Sequence, residues 1–89
     1  MSIDNSQRIV EITERLTKAF NPTQLEVIDD SHLHAGHAGA KTGMGHFTVV
    51  IGSQQLADKR AVQSHQMIYQ ALGEMMKTDI HALSIKIVK

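Results

Sequence analysis

The stretch that decides the fold is 46-HFTVVIGS-53. Phe47, Val49 and Ile51 alternate with His46, Thr48 and Val50, and a period of two places the first set on one face of a strand and the second on the other. Gly52 opens the exit turn. Upstream, Gln24 to Asp30 reads as a second strand, with Leu25 and Val27 on one face, Glu26 and Ile28 on the other, and a polar Asp29-Asp30-Ser31 exit. The two strands form a hairpin joined by residues 31–45, which hold four of the six glycines and no apolar period. A connection of about 15 residues far exceeds the usual hairpin loop, and such loops in compact domains tend to carry function.

Farther out, Ser6 to Phe20 predicts a helix: Ile9, Ile12, Leu16 and Ala19 recur at helical spacing beside Val10 and Phe20. Asp4 or Ser6 can cap its start, and Asn21-Pro22 ends it, since proline disfavours helical geometry in the residue before it. Downstream of 46–53, Asp58 is the expected N-cap of a second helix reaching about Lys77, with Ala61, Met67, Ile68, Ala71, Leu72 and Met75 on its apolar side. Ile80 to Val88 completes the set as a strand, His81, Leu83, Ile85 and Ile87 inward and Ala82, Ser84 and Lys86 outward.

The order helix, strand, strand, helix, strand specifies a single small α+β domain in which two helices cover one face of a three-stranded mixed sheet. The last two strands flank a helix, so they pair in parallel through a right-handed crossover. A chain of 89 residues fits one domain and buries only about 60 to 65% of its unfolded surface on folding, so its core is modest. With 42% apolar residues and balanced charge, the composition disfavours disorder.

Nine Lys and Arg offset nine Asp and Glu, which leaves no net field to draw the molecule toward nucleic acid or an anionic membrane. The start, MSIDNSQRIVEI, lacks a basic region followed by an apolar run, and no stretch approaches the roughly 18 apolar residues that span a bilayer. Cysteine is absent, which argues against a disulfide-stapled secreted fold. The expectation is a soluble cytoplasmic protein with no membrane partner.

Histidine is the conspicuous residue type, at six in 89. His32, His34 and His37 stand at i, i+2 and i+5 in the glycine-bearing loop, a spacing that can fold around one metal ion but matches no zinc-enzyme motif. A solvated loop with incidental zinc or nickel affinity has the same sequence. His65 falls one helical turn before Ile68 and two before Leu72, at the border of the buried face, where it either closes the packing or meets solvent. His81 opens an inward-facing run and reads as a largely buried, hydrogen-bonded residue near the sheet edge, while His46 reads as an anchor for the returning loop.

No catalytic constellation emerges. Ser31 or Ser64 beside a histidine lacks the orienting group and oxyanion site that nucleophilic catalysis requires, and Asp29 and Asp30 project to opposite faces of a strand. The chain is therefore expected not to be an enzyme. Only Phe20, Phe47 and Tyr69 are aromatic, too few for a platform that stacks single-stranded nucleic acid.

Four strings in this order and spacing resemble the BolA family: Leu25-Glu26-Val27-Ile28-Asp29-Asp30-Ser31, Gly45-His46-Phe47-Thr48-Val49-Val50, Ser64-His65-Gln66-Met67-Ile68-Tyr69 and Ile80-His81-Ala82-Leu83. The resemblance spans nearly the whole chain. It implies an α-β-β-α-β fold related to the type II KH domain, and a role beside a monothiol glutaredoxin in iron-sulfur cluster assembly, transfer or iron sensing. It implies a [2Fe-2S] cluster held on one side by the glutaredoxin cysteine and a glutathione thiol, and on the other by the helix histidine, matched by His65, and a loop histidine. His34 matches the loop position most nearly, with His37 and His32 in reserve. Such a shared site agrees with a chain that lacks cysteine, since it cannot supply four thiolates itself.

The rival implied by the resemblance is a DNA-binding transcriptional regulator. Many family members flank the helix histidine with arginines, whereas this chain has Ser64 and Gln66, so Lys59 and Arg60 near the helix start make the only basic pair there. No Gly-x-x-Gly clamp occupies a KH-like position. The free protein is expected to be a monomer or a weak homodimer.

Overall fold

The computed structural model describes residues 5–30 and 45–88; His32, His34 and His37 fall outside the described residues. Helix α1 spans Asn5–Phe20, followed by strands β1 (Gln24–Asp29) and β2 (Gly45–Gly52). Then come three short helices, α2 (Gln54–Ala57), α3 (Ala61–Leu72) and α4 (Met75–Thr78), and strand β3 (Ile80–Ile87). The sheet has the order β1-β2-β3, with β1 antiparallel and β3 parallel to the central strand.

Strand faces follow the alternation in the sequence. Leu25 and Val27 pair with Ile51 and Val49, and Phe47, Val49 and Ile51 pair with Leu83, Ile85 and Ile87. Phe47, Val49 and Ile51 are fully buried beneath the helices, where they join Ile12, Leu16, Ile68 and Leu72 in one core. The flanking apolar residues of β1 and β3 are half-buried against the same cluster. Among the described residues no helix is long and apolar enough to cross a membrane.

In α1 the buried row is Arg8, Ile12, Leu16 and Phe20. That row steps by four throughout and leaves Ala19 and Val10 exposed, contrary to the stripe read from apolar residues alone. Arg8 enters it because its Nε donates to Asp79 Oδ1 at 3.1 Å and its Nη1 to Asn5 Oδ1 at 2.9 Å, so the buried charge is compensated. The helix stops at Asn21, whose positive φ of 44° and N–H bond to the Thr17 carbonyl close the last turn ahead of Pro22.

The second helical region differs from the single helix expected after Asp58. Ser53 caps α2, its hydroxyl accepting from the Gln55 N–H at 3.2 Å and donating to the Phe20 carbonyl at 2.7 Å, and Asp58 ends that turn. Helix α3 then begins at Ala61, which is exposed, and its buried row is Ser64, Ile68 and Leu72. Gly73, at φ 56° and ψ −124°, breaks the helix in a conformation that excludes side chains for steric reasons, and α4 carries Met75 into the core at a new angle.

The other difference lies at the start of β3. Gly45 pairs with Ile80 but His46 pairs with Ala82, so His81 is an extra residue in β3. This bulge shifts the strand's parity: Ile80 is buried on the core side in the position the alternation assigned to His81, and His81 is exposed.

Candidate functional site

Both ends of the histidine-bearing segment are fixed at one end of the sheet. The Asp30 N–H donates to the His46 carbonyl at 2.8 Å, and the Gly45 N–H donates to the Asp79 carbonyl at 2.9 Å. The Thr48 hydroxyl also donates to the Asp30 carboxylate. A side chain at Gly45 is excluded, because a Cβ there would lie 2.5 Å from the Phe47 ring, so the strand entry is held tightly against the core.

His46 and His81 meet at this same end. The ring centroids are 5.0 Å apart at an interplanar angle of 50°, with His46 buried and His81 exposed. The bulge produces the contact by turning His81 out of the core, and the buried His46 ring backs the exposed one. Sequence alternation misassigned His81, although a signal was present: Ile80 and Leu83 are both core residues three apart, a step that an unbroken strand cannot make.

His65 stands elsewhere. Helix α3 runs back from the far end of β2 toward the start of β3, and His65, half-buried in its second turn, precedes the last helical residue by about 10 Å of rise. It also belongs to the helical layer rather than the sheet end where the segment 31–44 attaches. Lys59 and Arg60 are exposed at the opposite end of the molecule from the His46–His81 pair, just ahead of α3. The Arg60 N–H donates to Gln63 Oε1 at 3.3 Å. Lys18, exposed in the last turn of α1, reaches the same end.

Two shallow cavities open beside that basic end. One, of about 310 Å³, is lined by Phe20, Asn21, Thr23, Ser53, Gln54 and Gln55; the other, of about 330 Å³, shares Thr23, Ser53 and Gln54 and adds Gly52 and Val88. Their linings carry no ionisable group. Among the described residues no group of three or more His, Asp or Glu side chains is gathered to hold a metal ion.

The family model for BolA-like proteins matches residues 16–89. This chain belongs to the BolA family. It is 40% identical over 74 residues to the DNA-binding transcriptional regulator BolA of Escherichia coli, covering 83% of this chain and 68% of that protein. It is also 40% identical over 83 residues to SufE-like protein 1, chloroplastic/mitochondrial, of Arabidopsis thaliana, spanning 88% of this chain but 22% of that longer protein. Among solved structures, the BolA domain of SufE1 from Arabidopsis thaliana superposes with a TM-score of 0.80 at 40% identity, covering 90% of this chain and 88% of that one. BolA1 from the same plant gives 0.76 at 37% identity over 97% and 93% of the two chains. The BolA relatives are thus named both as regulators of transcription and as BolA or SufE-like proteins.

Proposed function

We propose that this BolA-family chain is a non-enzymatic partner of a monothiol glutaredoxin and shares with it a [2Fe-2S] cluster, for cluster assembly and transfer or for iron and redox regulation. The observation that carries this reading is the exposed His81, backed by the buried His46 at the sheet end from which the three-histidine segment leaves. Imidazole is a competent iron ligand, and a chain without cysteine needs a thiol-bearing partner, with glutathione, to complete the set.

The donor set fits half a site. One ligand comes from the segment 31–44, His34 first with His37 and His32 in reserve. For the other, the topology favours His81 over the helix residue His65, because His81 needs no approach across the helical layer. Imidazole ligation on one iron raises the potential of a cluster relative to four thiolates. His46 positions the His81 ring, and each ligating ring must shed its proton to bind.

The test is reconstitution with a monothiol glutaredoxin, glutathione, iron and sulfide, followed by visible absorption and circular dichroism. His81→Ala and His34→Ala are expected to alter the spectrum and speed cluster loss, while His65→Ala leaves both unchanged. The reverse pattern restores His65 as the ligand, and an unchanged spectrum in all three variants refutes histidine ligation from this set.

A second reading, DNA-binding regulation, draws support from the name of the Escherichia coli relative and from the exposed Lys59 and Arg60. It uses the opposite end of the molecule, so the two functions separate by mutation. If both side chains contact phosphates, Lys59→Ala/Arg60→Ala reduces the slope of log affinity against log salt by about 1.8 on duplex DNA. A duplex that does not bind even at low salt removes this reading.

A further inference from the structure

The helices cover one face of the sheet, and the other face carries an ordered pattern of side chains. Its rows, fixed by the strand register, are Glu26–Val50–Lys86 and Ile28–Thr48–Ser84. Above them Gln24 pairs with Gly52, whose missing side chain leaves a dent: a Cβ placed there would lie 3.5 Å from the Cβ atoms of both Gln24 and Val88. Glu26 and Lys86 are exposed on the two outer strands, two strand spacings or about 10 Å apart, and form no ion pair with any described residue. Ile28 and Val88, at 38% and 36% exposure, add apolar surface, and Val50 is half-buried between the two charges.

Parallel strand pairs are usually covered on both faces, yet among the described residues the β2–β3 pair is covered on one. We infer that this open sheet face is a self-association surface, and that its occupant is the same face of a second copy of this chain, related by a two-fold axis parallel to the strands.

The charge pattern selects both occupant and axis. Rotation about an axis along the strands exchanges β1 with β3 and preserves each row. Glu26 then opposes the second copy's Lys86, Lys86 opposes the second copy's Glu26, and Val50 meets its own counterpart between these two ion pairs. Ile28 lies over the second copy's Ser84. A two-fold axis perpendicular to the strands instead sets Glu26 against Ile28, a charge against an alkyl group. The favoured arrangement is the aligned packing of two twisted sheets at about 10 Å separation.

The size of the face limits its strength. Three strands over these rows present on the order of 300 Å² per copy, against about 800 Å² per partner in a stable complex. The dimer is therefore weak, concentration-dependent and sensitive to salt, because the outer contacts are ionic and solvent-facing.

Sedimentation velocity of the full chain, from about 20 µM to about 1 mM at low and high salt, tests the inference. The expected result is a sedimentation coefficient that rises with concentration at low salt and less so at high salt. Glu26→Lys and Lys86→Glu, both at exposed positions, each abolish the rise by opposing like charges. The double variant Glu26→Lys/Lys86→Glu, with net charge unchanged, restores it, and the control Lys18→Glu leaves it intact. A wild-type chain that stays monomeric throughout overturns the inference. So does a dimer indifferent to the single reversals, or a double variant that fails to recover association.

Discussion

Replacing Asp79 by Ala removes the carboxylate that receives Arg8 at 3.1 Å and leaves the guanidinium in a site where its side chain is only 7% exposed. Breaking a buried ion pair from one side costs about 3–5 kcal/mol, chiefly the penalty of the stranded charge. Here the Asp79 side chain is 18% exposed, so water can enter the vacated space, and Arg8 keeps Asn5 Oδ1 at 2.9 Å. The expected loss is therefore about 2–3 kcal/mol, which for a domain of this size lowers the melting temperature by roughly 10–20 °C. Urea unfolding followed by far-ultraviolet circular dichroism measures it, with the midpoint falling and the slope m unchanged. The backbone bond from the Gly45 N–H to the Asp79 carbonyl survives the substitution, so the cost reports the side chain. Arg8→Met removes the charge while keeping the volume, and the pair Arg8→Met/Asp79→Ala should cost at least about 1.5 kcal/mol less than the two single losses combined. A single Asp79→Ala variant within about 0.5 kcal/mol of the parent, or strictly additive losses in the pair, refutes the assignment of Arg8 as a buried, compensated charge.

Ser53→Ala deletes a helix cap and a buried bond to the Phe20 carbonyl together, and chemical denaturation should show a loss of about 1–2 kcal/mol. Gly73→Ala meets only ordinary van der Waals contacts, with Arg15 Nη1 3.6 Å and the Gln70 carbonyl oxygen 3.8 Å from the new Cβ, so its expected cost of about 1–3 kcal/mol is backbone strain at φ 56° and persists in an Arg15→Ala background. Leu16→Ala empties a fully buried position and should lower stability by about 2–5 kcal/mol in the same assay. His81→Ala, at an exposed position, should change stability by no more than about 0.5 kcal/mol, so that any effect on a shared cluster reads as ligation rather than unfolding.

The number and order of the main elements were legible because each is written in near neighbours. Val49 and Ile51 needed only the period of two, and the end of α1 needed only Asn21-Pro22. The positions that departed from the reading depend on partners far along the chain. Arg8 is polar by composition and buried because Asp79, 71 residues away, compensates it. Asp58 looks like the N-cap of the long helix but instead ends α2, a turn that Ser53 caps while its hydroxyl bonds the Phe20 carbonyl 33 residues upstream, and Arg60 is the N-cap of α3.

The candidate site divides in the same way. The sequence by itself determined the available side-chain chemistry: six imidazoles, no thiol, and three of the histidines on one glycine-bearing stretch. It also fixed the α-β-β-α-β order, since periodicity is a local property. Only the tertiary structure decided which histidine stands at the sheet end where Asp30 and Gly45 lie. The parallel pairing of Gly45 with Ile80 and of His46 with Ala82 joins residues some 35 positions apart, and the one-residue mismatch between those pairs turns His81 from the core to the surface against His46. Strand parity beyond a bulge is set by cross-strand hydrogen bonding, a long-range constraint, and so the outward placement of His81 lies beyond the reach of local periodicity.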